Sequence, residues 1–384
     1  MTLAPAAPSP TRWPASVRLY LTSFLIVGMS LSMLGPALTE LREKSGSGIG
    51  AIGVLFMGQS LGYVVGPVIG GRLYDRLDGH RVFAGGLLVL AAGLLAVPHL
   101  DTRPTLFVAF VTMGFGASVV DLGGNTLLMW ELKADGHRAM NLLHMFFGIG
   151  AVVAPLLVYA GLLVVSSIGA AFCVVMAAVT VRIPAPPHPV SGREEHTRAT
   201  VPILAMLGGF FTIYVGTELG YAGWIKTYGE EIAMSELTAT WLTTAFWLSF
   251  TAGRAVASVI AHRVTPAALL WATCGATVLA AMLLIAGDGS VPVVWLGTIV
   301  IGMAMGPQFA SMMNLIERRI HVSGSATMWF VGGAGLGGLV FPWAIGQWLD
   351  RSGATALPWA MLLFGTATLA AFASSARVLR RRIL

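Results

Sequence analysis

The chain has 384 residues, 56% of them hydrophobic and 10% charged, with a net charge of +6. So little charge over so long a chain excludes a soluble catalytic domain. The positive residues are scattered over short loops instead of gathered on one face, which excludes a nucleic-acid surface. The composition is that of an all-α, polytopic membrane protein, because a helical span needs about 20 apolar residues whereas β-barrel strands would alternate over about 10.

Twelve such spans can be laid along the chain, at 17–40, 48–72, 82–100, 105–131, 138–160, 161–182, 202–227, 237–261, 267–287, 293–314, 325–348 and 357–376. The first 14 residues are rich in Pro and Ala and lack the layout of a secretory leader, so the first span is expected to be retained. Residues 184–200, PAPPHPVSGREEHTRAT, suit a cytosolic linker between an N-terminal half, 1–183, and a C-terminal half, 201–384. With the N-terminus in the cytosol, 17 of the 23 Lys and Arg residues face inward and 5 outward, Arg254 being held apart within a span. The positive-inside rule then predicts cytosolic termini, and the short loops and Ala/Gly richness point to a bacterial inner membrane. Cys173 and Cys274 fall within spans 6 and 9, and no disulfide, metal or cofactor is assigned.

An offset of 187 residues relates Gly66 to Gly253, Arg76 to Arg263, Gly148 to Gly335, Gly150 to Gly337 and Pro155 to Pro342. Glycine is abundant enough to supply a chance match or two, but G-x-G-x-x-x-x-P recurring in spans 5 and 11 marks two parallel repeats. The same offset sets Asp121 opposite Gln308 and His144 opposite Val331, so the halves share a scaffold and differ in polar equipment. Parallel six-helix halves around a central cavity, with substrate at their interface, make a rocking transporter.

The stretch GGRLYDRLDGHR after span 2 resembles the loop between helices 2 and 3 of the major facilitator superfamily, through Gly71, Leu73, Asp75, Arg76, Gly79 and Arg81. Asp78 departs from the pattern, standing where a glycine is expected or marking a one-residue insertion. The resemblance implies the twelve-span fold and gives Gly71, Asp75, Arg76 and Arg81 a part in gating. Arg254, in span 8, is placed with them as a cap on a neighbouring helix; its alternative is a counter-ion for an anionic solute. A narrower resemblance, to the fucose permease and sodium-dependent glucose transporter branch, rests on four groups of residues. These are Asp121, Gly123, Gly124 and Asn125; Asn141, His144, Phe147, Gly148, Gly150 and Pro155; Tyr214, Val215, Gly216 and Glu218; and Gly253 and Arg254. Unlike the fucose permease type, span 1 has no acid before Glu40 at its outer end.

Charged side chains within spans are costly and mark a cavity or an ion path. Asp121 and Asn125, four apart, share a helix face and offer acceptors and a donor to sugar hydroxyls. His144, with Asn141 one turn earlier, is read as a substrate contact, no ligand partners for a metal being near. Tyr214, Glu218 and Tyr221 form a polar, aromatic stripe at helical spacing, suited to stacking on a pyranose and holding its hydroxyls. Gln308 completes the expected lining. Asp121 and Glu218 are the candidates for ion coupling, and their distances along their spans set them on opposite sides of the midplane.

The expected function is secondary active transport of a sugar or similar polyhydroxylated solute by alternating access, coupled to H+ or Na+, in a monomer embedded in the lipid bilayer. The alternatives are an exporter of lipophilic compounds or a flippase for a lipid-linked sugar, with a greasier cavity, and a non-transporting sensor on the same scaffold.

Overall fold

A computed structural model describes residues 13–133, 136–187, 201–318 and 324–381, and every regular element among them is helical. α1 (Ala15–Ser32) and α2 (Leu34–Ser45) form one divided rod, as do α3 (Ile49–Ile52) with α4 (Val54–Arg76). Single rods follow: α5 (Gly79–Ala96), α6 (Arg103–Leu132), α7 (Gly136–Tyr159), α8 (Leu162–Thr180), α9 (Val201–Glu231), α10 (Glu236–Ile260) and α11 (Pro266–Ala286). A third divided rod, α12 (Val291–Met305) with α13 (Gln308–Glu317), precedes α14 (Gly324–Ser352) and α15 (Ala356–Arg381). Among the described residues, ten stretches are long and apolar enough to cross a membrane, by length and composition alone. One of them, Trp329–Leu379, runs through both α14 and α15. α10 has the length but dilutes its apolar content with Glu236, Arg254 and five threonines. Together they make the expected twelve rods.

Three expected spans are each divided into two helical segments instead of one. Pro36 has no N–H to give the Ser32 carbonyl and its ring crowds that carbonyl, so span 1 breaks at Met33. Pro307 acts in the same way on span 10, between α12 and α13, and Gly53 breaks span 2. Of the expected linker, 188–200 lies outside the described residues, as do Arg12, Arg319 and Arg382 from the topology count.

The repeat has a physical basis in helix crossings. A Cβ on Gly150 would collide with the Leu25 carbonyl and crowd the Met29 amide; a Cβ on Gly337 would do the same to Thr212 and Gly216. Leu25 and Met29 map onto Thr212 and Gly216 by the same 187-residue shift. α7 thus crosses α1 as α14 crosses α9, backbone on backbone, and only glycine fits. The two halves, α1–α8 and α9–α15, are pseudo-symmetric copies.

Among the described residues, hydrogen bonds join the halves toward one face. On the far face, where α2 ends, Gly35 abuts the Gly223 backbone, with a hypothetical Cβ 2.7 Å from its oxygen. Around this contact the Thr39 hydroxyl donates to Glu230 (2.7 Å), Gln347 Nε2 to the Gly50 carbonyl (2.6 Å) and Lys226 Nζ to the Pro36 carbonyl (3.0 Å). Lys226 is buried and also pairs with Glu230 and Glu236, each at 3.3 Å. Deeper in, Gly335 still touches Val64 and Gly148 still touches Thr251. Toward the near face, where α1 begins, Val68 and Ile69 on α4 and Trp329 and Val331 on α14 stand exposed. Among the described residues, the hydrogen bonds that join the halves thus gather toward the far face.

Candidate functional site

Asp121 sits midway along α6, which passes α4 closely because Gly62, Gly66 and Gly114 let the two backbones touch. That approach brings Tyr63, on α4, within reach: its hydroxyl donates to Asp121 Oδ2 at 2.7 Å. Asn125 Nδ2 donates to Asp121 Oδ1 (3.2 Å) and to the Asp121 carbonyl (2.8 Å). The carboxylate is thus held by two donors, one neutral phenol and one amide, with no cation paired to it among the described residues. Asp121, Asn125 and Tyr63 are each half-buried. An ionisable group left part-open at mid-depth belongs on a water-filled cavity, since the lipid alternative is costly.

Glu218 is the corresponding intramembrane carboxylate of the other half. It is half-buried on α9, against Tyr214 one turn earlier, and within the electrostatic reach of Arg254 on α10. Arg254 is also within electrostatic reach of His144, so one guanidinium lies near a carboxylate of its own half and an imidazole of the other. His144 and Asn141 are exposed on α7, the histidine edge-on to Phe24 at 6.1 Å between ring centroids. Arg254 is further fixed by a hydrogen bond from Nε to the Gly306 carbonyl (3.1 Å) and by lying over the Phe250 ring, 4.6 Å from its centroid. Gly306 lies at the break between α12 and α13. The neighbouring orphaned carbonyl, of Met305, accepts from the Tyr214 hydroxyl at 2.9 Å. Two side chains of the polar centre therefore satisfy the carbonyls that the break frees.

The structure joins Asp121 and Asn125 with Tyr63, sets Glu218 and His144 within electrostatic reach of Arg254, and leaves Asn141 exposed beside His144 on α7. It places Tyr221 and Gln308 elsewhere: both are fully buried in the second half, the tyrosine hydroxyl bonded to Thr298 (2.8 Å) and Gln308 Nε2 to Thr277 (3.2 Å) and the Ala304 carbonyl (3.3 Å). Tyr214 is equally buried, its ring stacked on Phe210. Gly71, Asp75, Arg76 and Arg81 gather at the near-face end of α4 and start of α5, the three charged residues exposed and without an ion pair among the described residues. Asp78, the departure from the loop pattern, caps α5 by accepting from the Arg81 amide at 3.0 Å. Tyr63 was not among the expected site residues. Its spacing of four from Gln59 on the same helix was the available signal.

Two six-helix bundles joined toward one face, each carrying a half-buried carboxylate well inside a span, are the build of a membrane carrier. The chain belongs to the Major Facilitator Superfamily, which residues 20–342 match. It is similar to sodium-dependent glucose transporter 1 of Danio rerio, 28% identical over 386 aligned residues that cover 87% of this chain and 64% of the relative. The chain thus spans just under two thirds of that relative's length. To sodium-dependent glucose transporter 1A of Mus musculus it is 27% identical, with 84% of this chain and 87% of the relative covered. Among solved structures, the nucleoside transporter NupG superposes with a TM-score of 0.70 at 16% identity, over 94% of this chain and 98% of the other. A bacterial homolog of the human lysosomal transporter Spinster, in an inward-facing, unoccupied conformation, gives 0.69 at 11% identity, over 96% of each chain. At such identities the likeness concerns the fold.

Proposed function

We propose that the protein is a secondary transporter of a sugar or similar polyhydroxylated solute, working by alternating access and coupled to H+ or Na+. The observation that carries this reading is Asp121, half-buried within a span and held by Tyr63 and Asn125 without a cation among the described residues, while the carboxylate of the second half, Glu218, keeps company with Arg254. An acid balanced only by neutral donors can exchange a proton or a hard cation, which oxygen ligands favour. An acid beside a guanidinium is better suited to orienting hydroxyls. The relatives' printed names supply sodium and glucose as the first ion and solute to try.

Orientation follows from the positive-inside count, which puts the near face, both termini and the 184–200 linker in the cytosol of a bacterial-type inner membrane. In that frame the bonds that join the halves lie toward the outside, and the exposed Asp75, Arg76 and Arg81 are free to engage the other half when the near face closes.

The test is transport of labelled hexoses and deoxyhexoses in proteoliposomes under an imposed proton or sodium gradient, for wild type, Asp121→Asn and Glu218→Gln. Accumulation by wild type that Asp121→Asn loses while retaining counterflow exchange supports the reading. If no sugar moves under either gradient, the reading fails and amphipathic compounds and glycolipids become the candidates.

A further inference from the structure

Of the seven buried side-chain polar atoms that lack a hydrogen-bond partner among the described residues, four stand on α10: the hydroxyls of Thr240, Thr243 and Thr244 and the indole Nε1 of Trp247. Their spacing of i, i+3, i+4 and i+7 gathers them on one helix face. None of the four residues is more than 3% exposed. Other buried threonines bond back to their own helix, Thr217 to the Ile213 carbonyl at 2.6 Å, Thr277 to Thr273 at 3.0 Å and Thr298 to Val294 at 2.7 Å. The three on α10 do not. Their face is turned to the first half, since Trp247 lies by Leu31, Phe56 and Gln59, and Thr251, one turn further on, abuts Gly148 of α7. It also lies near the far face, because α10 begins at Glu236, a partner of Lys226, and four residues of helix rise only about 6 Å.

Buried polar groups without partners are rare and costly, because they give up water and gain nothing for it. Halves that part at the far face return these groups to water. We infer that the α10 stripe is a built-in load on the far-face-closed state, unpaired while the halves touch there and relieved by hydration when they separate. The load opposes the fastenings from Thr39 to Glu230, from Gln347 to Gly50 and from Lys226 to Pro36, and so holds the two states closer to balance. The inference rests on the alternating-access part of the reading above and adds to it the residues that set the resting equilibrium. It involves no solute.

The experiment exchanges each hydroxyl for a methyl group, in Thr240→Val, Thr243→Val and Thr244→Val, with Thr244→Ser as the variant that keeps the hydroxyl. In nanodiscs without solute, double electron–electron resonance between spin labels on the exposed Glu43→Cys and Glu231→Cys reads the far-face gap, and thermal unfolding reads stability. The series is run in wild type and in Lys226→Met, which lacks the donation to Pro36 and so enriches the longer distance. Each valine is expected to lower the ratio of long to short distances about fivefold or more and to raise the unfolding temperature, while Thr244→Ser does neither. Valine variants that lengthen the gap, unfold at lower temperature or leave both readings unchanged overturn the inference, because the hydroxyls then carry no cost in the closed state. Failure to fold has the same meaning, since valine matches threonine in volume. The transport reading survives any of these results. Should no sample show two distances, with or without added hexose, alternating access and the inference fall together.

Discussion

The substitution Gly35→Ala places a methyl group where two backbones touch. Its Cβ would lie 2.7 Å from the Gly223 oxygen and 2.8 Å from the Gly223 Cα, and neither atom is the end of a side chain that can swing aside. Overpacking of this kind costs about 1–3 kcal/mol. The contact joins the two halves, so the cost falls on the far-face-closed state and is absent once the halves part there. At 1.4 kcal/mol per tenfold, the equilibrium between the two states shifts about 5- to 150-fold toward far-face opening. Glu43 and Glu231 are exposed at the far-face ends of α2 and α9, and the native Cys173 and Cys274 are buried. Spin labels on Glu43→Cys and Glu231→Cys therefore report the gap by double electron–electron resonance. Gly35→Ala is expected to move population from the short distance to a longer one. An unchanged distribution in a folded, monodisperse variant refutes the assignment of this glycine to the closed contact between the halves.

Tyr63→Phe removes a hydrogen bond to a carboxylate, the kind worth about 1.5–3 kcal/mol; gradient-driven accumulation is expected to fall about tenfold or more while counterflow exchange persists, and unchanged accumulation would take Tyr63 out of the coupling. Gly150→Ala and Gly337→Ala meet the same obstruction in the two halves, so each is expected to cost about 1–3 kcal/mol of stability, read as matching losses in thermal unfolding; a large effect in one half alone would break the symmetry argument. Asp78→Ala is expected to lower stability by about 0.5–2 kcal/mol through loss of the α5 cap, with Asp78→Asn close to wild type, and equal melting of the two variants would rule the cap out.

The spans were legible because crossing a bilayer demands an apolar run of fixed length, which no tertiary detail can disguise. The repeat was legible because close helix crossings admit only glycine, and those glycines recur at one spacing. The breaks at Met33, Gly53 and Gly306 were passed over, although Pro36 and Pro307 announce two of them by their missing N–H. Partners across helices were not legible at all: Tyr63 lies 58 residues before Asp121, and Arg254 lies 36 after Glu218. Helical spacing grouped Tyr214, Glu218 and Tyr221 on one stripe but could not tell a stripe that looks into a cavity from one that spends its hydroxyls on neighbouring helices, as Tyr221 does on Thr298. Resemblance named Asp121 and His144; only the packing supplied what holds them.

The break in span 10 has a consequence for how the second half flexes. Its loose carbonyls, at Met305 and Gly306, are tethered by Tyr214 and by Arg254, the same side chains that attend Glu218. A joint and a charge site thus share their fastenings. Drawing the guanidinium away from Gly306 would undo one of the two tethers and leave the joint held by Tyr214 alone. Lysine at position 254 would keep the charge near Glu218 but lose the Nε–H that ties the Gly306 carbonyl, so the charge site would survive and the fastening would not.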